Sequence, residues 1–219
     1  QAQRVRVSAV WHHRRVTEPL RQRLQRRALV LEYATIAWNL GEAALTIGLG
    51  IAAASLALIG FGTDSIIEVF ASLVVVWHII PTHAADEPGR TGRALRLVAL
   101  AFAILGIVLF AMAMRDLLTG RRPGESPWGI GYLALTAFVM FGLAAAKRRL
   151  ARSLDSAPLH SEATMTFLDG SLAIGTAIGL LLNALWDWWW ADPAAALLVA
   201  FVAANEAREN WQEARELVV

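Results

Sequence analysis

The chain has 219 residues, of which 57% are hydrophobic and 17% are charged, and it contains no cysteine. This composition lies on the membrane side of the average for soluble proteins. The lack of cysteine excludes disulfides and thiolate metal sites. The small net charge of +2 gives no reason to expect a nucleic-acid partner.

Six segments have the length that a membrane-spanning helix needs, about 20 mostly apolar residues. They cover roughly residues 29–53, 58–80, 94–114, 127–147, 157–186 and 192–210. We expect an all-α bundle of six transmembrane helices over 29–211, after a basic arm at 1–28 and before a short tail at 212–219. The chain stops soon after the sixth segment, so no C-terminal cytoplasmic domain is expected.

The basic residues are distributed unevenly between the two sides of such a bundle. All but three of the 20 lysines and arginines fall on the side of the N-terminal arm, and the exceptions are Arg115, Arg121 and Arg122. Basic loops remain in the cytoplasm. We therefore expect both termini to be cytoplasmic, the protein to be a multi-pass protein of the cell membrane, and the arm to lie against anionic lipid headgroups.

The first segment carries a polar stripe along one helix face, formed by Thr35, Asn39, Glu42 and Thr46. Glu42 is the ionisable member. Such an acid fits a pathway or proton-carrying carboxylate beside an ion site, and it equally fits an acid held by hydrogen bonds to neighbouring helices. Both interpretations remain open from the sequence.

The second segment contains two acids, Asp64 and Glu68, in the stretch GTDSIIEVFAS. An ionisable group at the centre of a membrane costs at least ~2.5–3.5 kcal/mol. The spacing of four residues places both carboxylates on one helix face, where like charges repel unless a proton or a cation lies between them. The pair therefore predicts a bound cation.

The fifth segment adds Glu162, Met165 and Asp169 on one face. At 1.5 Å per residue, Asp169 lies about 15 Å from the arm side, close to the middle of the membrane. The acids of the second segment approach the same depth from the opposite side, which predicts a divalent-cation site rich in oxygen ligands. The first-choice ligands are Asp64, Glu68 and Asp169; the second choices are Met165, Glu162 and Glu42, with His160 as an alternative.

These spacings, Asp-x-x-x-Glu and Glu-x-x-Met-x-x-x-Asp, together with WADPAAALLVAFVAANEA at the sixth segment, resemble the cation diffusion facilitator (cation efflux) family. The resemblance implies a homodimeric metal/proton antiporter that works by alternating access. In that family the second helix usually offers Asp-x-x-x-Asp, here Asp64 and Glu68. The fifth usually offers His-x-x-x-Asp, here Met165 and Asp169, and the acid three residues before the histidine corresponds to Glu162. The two replacements leave the ion open among zinc, manganese, iron, cobalt and magnesium.

Two other classes of protein also place acids inside a membrane. An intramembrane aspartyl protease would use Asp64 and Asp169 to share a proton and activate water, but the GFGTD and FLD contexts depart from its signatures. A membrane scaffold would pair its acids with basic residues, and none of the six predicted segments has a lysine or arginine near its centre. We therefore expect a transporter rather than an enzyme, with no cofactor besides the transported ion, and partners for the acids from outside the protein.

Overall fold

The computed structural model describes residues 18–52, 56–80, 87–120 and 127–217, and no strand occurs in this part of the chain. It forms six helices: α1 (Glu18–Ala52), α2 (Leu56–Ile79), α3 (Glu87–Thr119), α4 (Pro127–Leu154), α5 (Ala157–Trp186) and α6 (Ala191–Glu216). The predicted all-α fold of six helices is confirmed for the described residues.

Four helices continue well beyond the apolar segments predicted from the sequence. Helix α1 begins at Glu18 and α3 at Glu87, α4 ends only at Leu154, and α6 continues through most of the predicted tail to Glu216. Arginine and lysine are good helix formers with long apolar stems, so a helix continues through basic stretches that are too polar to count as membrane-spanning. Residues 1–17 of the predicted arm and 218–219 of the predicted tail lie outside the described residues.

Neighbouring helices run in opposite directions. Glu42, late in α1, accepts a hydrogen bond from Ser65, early in α2. Ser72, late in α2, donates one to Glu162, early in α5. Helices α1, α3 and α5 therefore begin at the end of the bundle where α2, α4 and α6 finish. We call it the basic end, because it carries Arg26, Arg27, Arg90, Arg148, Arg149 and Arg208.

The outer surface of the bundle is apolar. Large exposed hydrophobic side chains include Val30, Ile107, Phe138, Leu198 and Phe201, as expected for helices that face lipid. Three described helical stretches are long and apolar enough to cross a membrane, namely Gly62–Ile79, Gly89–Thr119 and Ala157–Trp186.

A glycine sets how closely α1 approaches α2. A Cβ atom added at Gly62 would lie 2.5 Å from Ile47 Cγ1 and 2.6 Å from Thr46 Oγ1. Both neighbours are β-branched and stiff at χ1, so only glycine fits without moving a helix. This close approach lies two residues before Asp64 and fixes the depth and distance of the acids of α2 relative to α1.

Candidate functional site

Buried polar side chains of α1, α2, α4 and α5 form a continuous column inside the bundle. In a folded protein such groups are normally paired, because burial without a partner is costly. The column consists of Glu32, Glu42, Asp64, Ser65, Glu68, Ser72, Tyr132, Thr136, Lys147, Glu162, Thr166 and Asp169, all of them buried except the half-buried Tyr132. It has three parts: an acidic middle, a hydroxyl-rich part around Glu42, and a part around Lys147 near the basic end.

The acidic middle consists of Asp64 and Glu68 from α2 and Asp169 from α5. Their side chains are buried, and each carboxylate interacts electrostatically with the other two or with Glu42. Neither oxygen of Glu68, nor Oδ2 of Asp169, accepts a hydrogen bond from the described part of the chain. Three buried acceptor atoms therefore lack a donor from these residues, which leaves them available to a cation or a proton.

The three acids are neighbours, but their carboxylates are not close enough together to chelate one ion. Among the described residues, no three His, Asp or Glu side chains are close enough together to hold one metal ion in this conformation. Binding of one ion by all three carboxylates would thus require their side chains to move closer together. The predicted ligand set of Asp64, Glu68 and Asp169 remains a prediction.

Glu42 is held by three hydroxyl groups from neighbouring helices. Its Oε2 accepts a hydrogen bond from Ser65 Oγ at 3.1 Å, and its Oε1 accepts bonds from Tyr132 Oη at 2.8 Å and Thr136 Oγ1 at 3.3 Å. It also interacts electrostatically with Asp64. The two sequence interpretations of Glu42 are therefore compatible: it links α1, α2 and α4, and it lies beside the acidic middle.

Lys147 provides a positive charge inside the column. Its Nζ lies 2.6 Å from Glu162 Oε1 and 3.3 Å from Glu32 Oε2, and all three side chains are 0% exposed. It also donates to Thr166 Oγ1 at 3.2 Å. Ser72 Oγ donates to the same Glu162 oxygen at 2.8 Å, so Oε1 of this carboxylate has its partners inside the protein, whereas Oε2 accepts no hydrogen bond from the described residues.

The expectation that every buried acid finds its partner outside the protein is therefore wrong for Glu162. The reason is that Lys147 is the last residue of the fourth predicted segment and not near its centre, whereas α4 continues to Leu154 and keeps this lysine inside the bundle. Lys147 is the single lysine of a chain otherwise rich in arginine. A single lysine among arginines, at the end of an apolar run, is the feature of the sequence that could have indicated a buried basic partner for the acids.

Glu32 is a further buried acid of the column, and it is not among the candidates predicted from the sequence. It lies three residues before Thr35 and so extends the polar stripe of α1 by one turn toward the basic end. In the folded protein it is fully buried against Lys147.

The remaining second-choice residues lie in different surroundings. Met165 is 1% exposed and belongs to an apolar cluster with Ile67, Phe102 and other residues of α2, α3 and α6. His160 is exposed near the start of α5. The apolar surroundings of Met165 are those of a core residue, and His160 is separated from the acidic middle by Glu162 along α5.

Comparison with known proteins identifies the family. No curated protein sequence matches the chain. The family model described as the cation efflux transmembrane domain matches residues 33–217, a range that includes most of α1, all of α2 to α6 and every residue of the column except Glu32. The match confirms the resemblance drawn from the acid spacings, and it gives no support to the aspartyl protease alternative. Through this transmembrane domain, the chain belongs to the cation efflux family.

Proposed function

We propose that this protein exports a divalent metal cation from the cytoplasm by alternating access, in exchange for protons. All six helices would span the cell membrane, with the basic end and both termini in the cytoplasm. Membership of the cation efflux family supports a metal cation transporter. The observation that carries the more specific proposal is the acidic middle of the column, where three carboxylate oxygens on α2 and α5 have no donor from the described residues.

The proposed ligands are Asp64, Glu68 and Asp169. Their carboxylate oxygens are hard donors, which suit manganese and magnesium and also accept iron, cobalt or zinc. Glu42 is a neighbouring acid that would receive the ion on its way out. Glu162 is left out of the first coordination shell, because Lys147 at 2.6 Å from its Oε1 already compensates its charge, and Met165 is left out because it packs in an apolar cluster.

Proton exchange follows from the same three acids. Between transport cycles, closely spaced carboxylates in a low-dielectric interior require positive charge, and protons are the smallest source of it. A divalent ion that binds to the acids displaces those protons. The protons would thus be released because the metal ion competes for the same oxygens, and no separate proton site would be needed. The protein would function as a homodimer, as the family resemblance implies.

The test is metal flux into proteoliposomes with a panel of divalent ions at two pH gradients. Asp64→Asn and Asp169→Asn keep the side-chain volume but remove the charge, so flux should be abolished while the protein remains folded. Asp187→Asn is the matched control: Asp187 is exposed at the C-cap of α5 in the left-handed conformation that asparagine also accepts. Wild-type flux in Asp169→Asn would contradict the proposed site.

The same assay separates the transporter from the protease alternative. An aspartyl protease would lose cleavage in both aspartate variants, and the unmutated protein would move no metal. Metal flux by the unmutated protein, lost in the two variants and retained in Asp187→Asn, is the pattern that only the transporter predicts.

A further inference from the structure

All four helices of the column are joined near the basic end by the side chains around Lys147. Glu32 comes from α1, Ser72 from α2, Lys147 from α4 and Glu162 from α5. Each of these side chains is fully buried, and Glu162 Oε1 receives both the lysine at 2.6 Å and the serine at 2.8 Å. We call these four residues the ionic layer. A charge-assisted network of this kind holds its helices in one arrangement.

A second layer lies one turn closer to the basic end and comes from the same four helices. It consists of Ala28 from α1, Val75 and Ile79 from α2, Ala151 from α4 and Leu159 from α5, which form one buried apolar cluster. Ala28 and Ala151 are four residues from their partners in the ionic layer, and Val75 and Leu159 are three residues from theirs. We call this set the apolar layer.

Beyond the apolar layer, a cavity of about 480 Å³ opens at the basic end. Its walls include Gln22, Gln25, His78, Ile79 and Pro158. Ile79 belongs both to this cavity and to the apolar layer, so the cavity reaches that layer. An ion that moves between the cavity and the acidic middle would have to cross the apolar layer, which offers no ligand, and then the ionic layer.

We propose that the two layers form the gate at the basic end of the transport path, and that Lys147 is the residue that holds this gate closed. The proposal rests on the proposed transport function. Lys147 is a positioning residue here: it does not bind the transported ion, but sets whether the four helices can separate to admit it.

Binding of the ion at Glu68 should favour opening of the gate. Lys147 interacts electrostatically with Glu68, one of the proposed ligands, as well as with Glu162 and Glu32. While Glu68 is charged and empty, this interaction attracts the lysine. A divalent cation bound at Glu68 turns the same interaction into repulsion, so the bound state disfavours the closed gate. A ligand shifts a conformational equilibrium only through such a difference between two states.

Cysteine labelling tests the gate directly, because the chain has no native cysteine. Val75→Cys places a small thiol in the apolar layer, where Val75 is 0% exposed. His160→Cys, at an exposed position near the same end, reports that the polar thiol reagent reaches this side. In inside-out vesicles without metal, we expect slow labelling of Val75→Cys and fast labelling of His160→Cys.

Three variants on the Val75→Cys background examine the role of charge. Lys147→Met removes the positive charge, and labelling should become faster by about tenfold or more, the change that loss of one charge-assisted hydrogen bond produces in an equilibrium. Lys147→Arg retains the charge and should stay slow. The triple variant Lys147→Met, Glu32→Gln, Glu162→Gln leaves no unpaired buried charge in the layer, so it guards against misfolding, and it should label as fast as Lys147→Met.

Slow labelling of the folded triple variant would overturn the proposal, because packing alone would then keep the path closed. On the otherwise unmutated protein, Mn²⁺ should accelerate labelling of Val75→Cys without affecting His160→Cys, and an unchanged rate would contradict coupling to the ion. Failure of the transport function is recognised separately, by the absence of metal flux in the unmutated protein.

Discussion

Removal of the buried lysine should cost far more stability than removal of an exposed basic residue close to it. In Lys147→Met, Glu162 loses an ammonium at 2.6 Å and Glu32 loses one at 3.3 Å, both at positions that are 0% exposed. Breaking a buried ion pair by removal of one partner typically costs about 3–5 kcal/mol. For a chain of this size, each kcal/mol lowers the melting temperature by about 2–4 °C, so a fall of about 6–20 °C is expected.

The measurement is thermal unfolding of the purified protein in detergent, followed by circular dichroism. Arg149→Met is the matched control, because Arg149 is exposed on the same helix two residues away, and such changes usually remain within about 0.5 kcal/mol. Replacement of all three charged residues by neutral ones of similar size should recover most of the loss, since a neutral network carries no orphaned charge. Equal melting temperatures for Lys147→Met and Arg149→Met would refute the ion-pair geometry.

Three further predictions concern packing, ion choice and sidedness. Gly62→Ala should destabilise the protein by about 1–3 kcal/mol, because its Cβ would lie 2.5 Å from Ile47 Cγ1, whereas Gly142→Ala, with nothing within 4 Å, should be neutral or slightly stabilising; equal effects would contradict the close approach of α1 and α2. Met165→His should leave the ratio of zinc to manganese transport unchanged, because Met165 packs in an apolar cluster, and a shift toward zinc would instead show that this side chain reaches the ion. Thr119→Cys should react with an impermeant thiol reagent in whole cells while Ser153→Cys should not, and the reverse pattern would invert the proposed topology.

The sequence predicted the parts of the molecule that depend on helical periodicity. Six apolar segments gave the six helices, and the spacing of four residues placed Asp64 and Glu68 on one buried face. Glu42 was singled out from a stripe at helical spacing, and it is indeed buried. These features are local: a helix turns by a known angle per residue, so residues on one face can be identified without knowledge of the neighbours.

The parts that depend on contacts between helices could not be predicted in this way. Tyr132 and Thr136 are the donors to Glu42, but nothing along α4 indicates which neighbour its hydroxyls meet. Lys147 was missed because the end of an apolar run was taken as the end of the buried helix. A lysine stem can keep its charge inside when acids of other helices receive it, and that condition is visible only in three dimensions.

The most direct test of the account is the affinity of the purified protein for Mn²⁺, measured by isothermal titration calorimetry for the unmutated chain and for Glu68→Gln. Glu68 has two buried oxygens without a donor from the described residues, so loss of its charge should weaken binding at least about 100-fold, more than the loss of a supporting group around a metal costs. Glu213→Gln, at an exposed position near the end of α6, should leave the affinity unchanged. If Glu68→Gln binds Mn²⁺ as tightly as the unmutated protein, the acidic middle of the column is not the ion site.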